Sequence, residues 1–191
     1  MKRRGNNKKG FTMIELMIVI TVIGILAIVL LPRIAGVRNE SRTSGVETNL
    51  RAVQGQAEFE IGRYQSTTPG ADSFAKRIKA RLEDDESIIT NPITGNTGAE
   101  YLTQDQGIEE VDNDDISSGA AVTIVKINES DGVSAGAIKD KLEVLTGSGI
   151  IGRVAVIVYL DSEFNERLGA SLAGYDHNGD YIPESFRVIR R

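Results

Sequence analysis

Apolar residues run almost unbroken from Phe11 to Leu31; further along they thin to a regular stripe and then to short β-branched runs. Wound as an α-helix at 1.5 Å per residue, the first stretch would be roughly 30 Å long, enough to cross the hydrocarbon core of a bilayer. Beyond Pro32, the residues Val46, Leu50, Val53, Ala57 and Ile61 recur at helical spacing and so share one face. Charged residues interleave them, and Glu47 with Arg51 stands in the favourable order for an ion pair one turn apart. One long helix from about Thr12 to Arg63 accounts for both patterns. A bend or local melting is expected between Pro32 and Gly36, where proline removes a backbone donor and glycine weakens the helix.

After the turn-forming run Thr67-Thr68-Pro69-Gly70, Asp72 or Ser73 can cap a short helix that shows Phe74, Ile78 and Leu82 on one face, ended by Asp84-Asp85-Glu86. Residues 91–98 read as a turn-rich loop and residues 109–115 as an acidic one. Residues 120–128 and 152–160 are β-branched runs suited to central strands, and 186–189 is a shorter one. Between the first two, residues 134–145 form another helical pattern, with Ile138, Leu142 and Leu145 inward and Gly147 as its stop. The order is helix first, then a small sheet.

Charge tells what kind of apolar segment begins the chain. Lys2, Arg3, Arg4, Lys8 and Lys9 precede it with no acid among them, so the positive-inside bias keeps the N-terminus cytoplasmic and sends the rest across: N-in, C-out. An ordinary secretory signal peptide shares the basic-then-apolar pattern. Here the apolar stretch is longer, and Leu31-Pro32-Arg33-Ile34-Ala35-Gly36 follows it in place of a small-x-small cleavage site. A plain signal anchor accommodates length and charge but leaves Glu15 unexplained, since a carboxylate in a lipid-embedded helix is costly and signals function.

The run Lys8-Lys9-Gly10-Phe11-Thr12-Met13-Ile14-Glu15-Leu16-Met17-Ile18-Val19-Ile20 resembles the processing site and helix start of type IV prepilins. The resemblance covers about the first third of the chain. It implies cleavage between Gly10 and Phe11 by a prepilin peptidase, N-methylation of the Phe11 amine, and a helix-bending role for Pro32. It implies an α+β fold: a long N-terminal helix, half membrane-embedded and half amphipathic, packed against a small, mainly antiparallel sheet. The domain plan is then a cleaved leader at 1–10, a membrane or filament-core helix at 11–36, and a globular head at 37–191 that includes the amphipathic helix 37–63. Cleavage would create a positive amine on Phe11. In a filament that amine can meet Glu15 of a neighbouring subunit, and the spacing of four also permits a pair within one chain.

Function follows in the same terms: a subunit held in membrane lipid of the inner membrane, then polymerised with its own kind, by assembly machinery with an ATPase, into a surface filament for adhesion, motility or DNA uptake. A type II secretion pseudopilin is the alternative within the family. From another class comes a membrane-tethered binding protein or enzyme that never polymerises. The chain has no cysteine and a single histidine, His177, and shows no phosphate loop or Ser/His/Asp grouping, so catalysis finds few of the groups it uses. Taking the five leader cations from the 22 Lys and Arg leaves 17 against 27 Asp and Glu, a balance of −10, which disfavours bulk nucleic-acid binding.

Many relatives close the C-terminal region with a disulfide that this chain cannot form. Asp176, Asn178 and Asp180 offer oxygens at alternate positions in that region, a spacing that suits Ca²⁺. The EF-hand pattern fails, because Arg187 stands in the place of the closing carboxylate. A hydrogen-bonded Asx turn accounts for the same residues without any ion.

Overall fold

The computed structural model describes residues 10–63, 70–83, 89–103, 120–127, 133–161, 163 and 167–190. Helix α1 spans Met13–Arg63, α2 Ala71–Leu82 and α3 Ala135–Val144; the strands are β1 (Ala99–Thr103), β2 (Val122–Lys126), β3 (Val154–Asp161), β4 (Arg167–Gly174) and β5 (Arg187–Arg190). The chain divides into two units, Met1–Asn39 and Glu40–Arg191.

The first unit is helical from Met13 onward, and the backbone keeps that conformation through Leu31 to Gly36, so the expected local melting does not occur there. Its window Met13–Leu30 has a mean hydropathy of 2.9 and none of it is buried; among the described residues it is the one helix long and apolar enough to cross a membrane. The one hydroxyl within this window is satisfied internally, with Thr21 donating to the Met17 carbonyl at 2.7 Å.

In the second unit the five strands form one sheet in sequence order. The sheet is mixed, which corrects the expectation of a mainly antiparallel one. β1–β2 and β2–β3 pair parallel, in registers such as Tyr101 with Ile124 and Ile124 with Val156. β3–β4 and β4–β5 pair antiparallel, Val156 facing Leu172 and Ser171 facing Val188. Parallel neighbours need a crossover of a dozen or more residues, and α3 lies in the connection from β2 to β3.

Both faces of the sheet are covered. One packs Val122, Ile124, Val154, Val156, Val158, Ala170 and Leu172 against Val46, Leu50, Val53, Ala57 and Ile61 of α1 and Phe74, Ile78 and Leu82 of α2. The other packs Val125, Ala155, Ile157 and Tyr159 against Ile138 and Leu142 of α3. Two-sided burial is why β2 and β3 read as continuous apolar runs instead of alternating ones. Each of these Val, Leu or Ile side chains contributes about 1.5–3 kcal/mol of transfer free energy. α2 begins at Gly70 with no side-chain cap, so neither Asp72 nor Ser73 has that role; Asp72 instead accepts from Lys76 at 2.7 Å and from Tyr101 at 2.6 Å, tying α2 to β1. α3 is capped by Ser134, which accepts from the Ala137 N–H at 3.2 Å.

Candidate functional site

The start of α1 is built by two side chains that satisfy each other's neighbours. A helix leaves its first N–H groups without partners. Here the Thr12 N–H and the Thr12 hydroxyl both donate to Oε2 of Glu15 at 2.9 Å, while the Glu15 N–H donates to the Thr12 hydroxyl oxygen at 3.2 Å. This reciprocal arrangement is a capping box, Thr at the cap and Glu three residues on. The sequence carried its signature, Thr12-Met13-Ile14-Glu15 before an apolar run, and reading Glu15 as the partner of the Phe11 amine, between subunits or within one chain, missed it.

The capping box also gives the carboxylate a reason to stand where it does without a second chain. An acid in the first turn is favoured by the helix dipole, and Thr12 fixes its orientation. Among the described residues Oε1 accepts no hydrogen bond, so one oxygen closes the helix start and the other can meet a cation from outside. Phe11 is 90 % exposed and its nitrogen, bonded to Gly10, is an amide; it would become a cation only after a cut at that bond. Gly10 is exposed, and a Cβ added there would meet nothing within 4 Å.

A family model, the prokaryotic N-terminal methylation motif, matches residues 5–31, which include the capping box and the Gly10-Phe11 bond. The N-terminal segment therefore carries the prokaryotic N-terminal methylation motif. Among similar proteins, fimbrial protein Q of Moraxella bovis is 35% identical over 97 residues, covering 51% of this chain and 56% of that protein. The type IV major alpha-pilin of the same organism is 42% identical over 64 residues, 34% of this chain and 39% of its own. Type II secretion system core protein G of Dickeya chrysanthemi is 28% identical over 80 residues, 40% of this chain and 50% of that protein. The chain thus spans about half the length of these relatives, or less. No solved structure matches it.

The C-terminal loop has a different construction from the prepilin segment. Oδ1 of Asp176 accepts the backbone N–H of Asn178 at 2.8 Å and of Asp180 at 3.0 Å, and the Asp176 N–H donates to the Asp180 carbonyl at 2.9 Å. Gly179 has φ 84°, and a Cβ there would lie 2.1 Å from the Gly147 carbonyl oxygen, so only glycine fits. The turn is closed by its own hydrogen bonds. Asn178 and Asp180 are exposed at its tip, and among the described residues no three His, Cys, Asp or Glu side chains are grouped to hold a metal. The acidic run 109–115, which could lend further oxygens, lies outside the described residues. Asp176→Ala removes two hydrogen bonds from an exposed turn and should cost about 1 kcal/mol. Thermal melts of the full chain in detergent should show the same loss in calcium and in chelator if the turn is held by its own bonds alone; a melting temperature that rises only with calcium would show that this loop takes the ion.

One of the charged residues that interleave the apolar stripe of α1 is buried. Glu60 is 3% exposed and accepts from Nε of Arg81 on α2 at 2.9 Å. Its position three residues after Ala57 puts it on the edge of the apolar stripe, which was the available signal.

Proposed function

We propose that this chain is a type IV pilus subunit, inserted in the inner membrane with its N-terminus inside, cut after Gly10 by a prepilin peptidase, methylated at Phe11 and polymerised through α1 into a surface filament. The observation that carries this reading is an apolar, unburied window from Met13 to Leu30 that begins on a fixed carboxylate next to a cleavable Gly-Phe bond. Such a surface needs a cover, first lipid and then the same segment of other copies. Pro32, inside α1 but without an N–H to donate, is the proposed bending point when the helices pack. The similarity to secretion core protein G favours a second reading, a pseudopilin of a type II secretion system. Electron micrographs of sheared surface material, labelled with an antibody to this chain, separate them: long labelled filaments support the pilus, and label confined to the envelope supports the pseudopilin.

Within this reading Glu15 pairs with the Phe11 amine of a neighbour. Glu15→Leu should still insert, because it removes a charge from lipid. Its filament yield should fall at least about tenfold, since the amine then enters the core unpaired and such a loss costs about 3–5 kcal/mol. Thr12→Val removes the cap but leaves the charge, at about 1 kcal/mol, and should lower yield much less. Normal filament amounts from Glu15→Leu would show that the carboxylate serves the helix start alone.

A further inference from the structure

Past the apolar window of α1, charge returns with one sign only. Between Glu15 and Glu40 the chain has no acid, and its charged residues there are Arg33 and Arg38, both within the first unit. On a helix the side chains that can meet stand three or four positions apart. No acid stands at either distance from Arg33 or Arg38; Glu40 is two residues from Arg38 and does not face it. Arg38 is exposed, and among the described residues it has no hydrogen bond or ion pair. An anion for these cations has to come from outside the helix.

Their height along the helix says which anion is within reach. The window ends at Leu30. At about 1.5 Å per residue, the backbone of Arg33 lies about 4.5 Å past that point and the backbone of Arg38 about 12 Å. A long side chain on a helix lies over the turn before its own Cα, which brings the Arg38 guanidinium back by about 5 Å. The headgroup layer is about 5–7 Å deep on either side of the hydrocarbon. The Arg33 backbone and the Arg38 guanidinium therefore fall at the level of lipid phosphates. At about 100° per residue the two positions stand about 140° apart around the helix, so they meet phosphates on different sides of it. With the N-terminus inside, this is the outer surface, where the positive-inside bias places few cations. Arginines placed there against that bias suit phosphate, whose oxygens a guanidinium takes two at a time.

We propose that Arg33 and Arg38 form a collar for the headgroup phosphates of anionic phospholipids on the outer surface of the membrane, fixing the height of α1 in the bilayer before assembly. The inference rests on the reading that Met13–Leu30 spans a membrane with the N-terminus inside, and it adds the lipid class and the residues that select it. A subunit drawn into a filament gives up these phosphates, so anionic lipid holds it back in the membrane.

The chain has no cysteine, so a single Gly36→Cys puts one donor dye between the two arginines, at an exposed position where a Cβ meets nothing within 4 Å. The full chain is reconstituted in phosphatidylcholine vesicles holding equal small fractions of acceptor-labelled phosphatidylglycerol or acceptor-labelled phosphatidylcholine, and energy transfer from the dye reads which lipid gathers around it. An arginine at an anionic lipid surface contributes on the order of fivefold in association, so phosphatidylglycerol should be enriched several-fold over phosphatidylcholine. The excess should fade as salt is raised from about 0.05 to 0.5 M, because screening shortens the reach of exposed charges. It should vanish in the Arg33→Gln, Arg38→Gln double variant, with insertion checked by vesicle flotation, and largely persist when both arginines become Lys. The proposal is overturned if the two lipids transfer equally in the parent or if the Gln variant keeps the preference. It is also overturned if inorganic phosphate at matched ionic strength abolishes the preference, or if the preference appears only at protein densities where copies associate. Mass spectrometry and electron microscopy of the chain from its host keep the two readings apart. A start at Phe11 and filaments without a lipid preference sink the collar and leave the pilus standing; a lipid preference in a chain that is neither cut nor polymerised does the reverse.

Discussion

Gly10→Leu should leave the whole population of this chain uncut. Mass spectrometry of membrane-extracted parent protein is expected to show a start at Phe11 with a methylated amine, and the variant is expected to retain Gly10 and the residues before it. The structure makes this a clean experiment. A side chain at position 10 meets nothing within 4 Å, so the substitution leaves α1 and its capping box intact and changes only what a peptidase would have to accommodate. With residue 11 still an amide, no cation forms to meet Glu15, and filaments should vanish along with processing. A parent start near Gly36 would identify ordinary signal peptidase and remove the prepilin reading. Normal processing of Gly10→Leu would move the cut elsewhere.

The parts of the fold that were legible beforehand are those whose signal is local. Val46, Leu50, Val53, Ala57 and Ile61 all reach the core, because a helix converts spacing directly into a face. Phe74, Ile78 and Leu82, and Ile138 and Leu142, do so for the same reason. β4 escaped notice because Arg-Leu-Gly-Ala-Ser-Leu-Ala-Gly has little β propensity. Its small residues answer to the neighbouring strand: a Cβ on Gly169 would lie 3.0 Å from Cζ of Tyr159, so the ring of β3 occupies the space a side chain would need. Strand direction was equally hidden, since it depends on which face a connection crosses and not on the strands themselves.

At the helix start, the residues were legible and their capping box was not. Glu15 stood out as a charge in an apolar run, while its partnership with Thr12 needed the helix boundary fixed to a residue. Glu60 required Arg81, a partner from another element, before its burial made sense.

How the C-terminal region is held without a disulfide leads to the second large effect. Asp161, at the end of β3, is buried; its Oδ2 accepts from Nε of Arg190 on β5 at 2.8 Å, and its Oδ1 accepts the Glu163 N–H at 3.0 Å. The pair spans β4, which lies between those strands, and beside it the Tyr159 hydroxyl meets Ser171 of β4 at 3.0 Å. Burial pushes the Tyr159 phenol above its usual range, so it stays neutral and serves as a hydrogen-bonding group. Three strands are therefore laced by polar contacts where a covalent bond is absent. Arg190→Ala would leave a carboxylate buried without its cation, an outcome that costs about 3–5 kcal/mol, a large share of the 5–15 kcal/mol typical of a whole domain. Thermal or urea melts of the full chain in detergent should show a loss of that size. Asp161→Asn combined with Arg190→Ala should recover a good part of it, because the amide removes the stranded charge while keeping the bond from Glu163. A loss of less than about 1 kcal/mol from Arg190→Ala would place this pair with ordinary surface ion pairs and leave the closing of the C-terminal strands to apolar packing around Ile189.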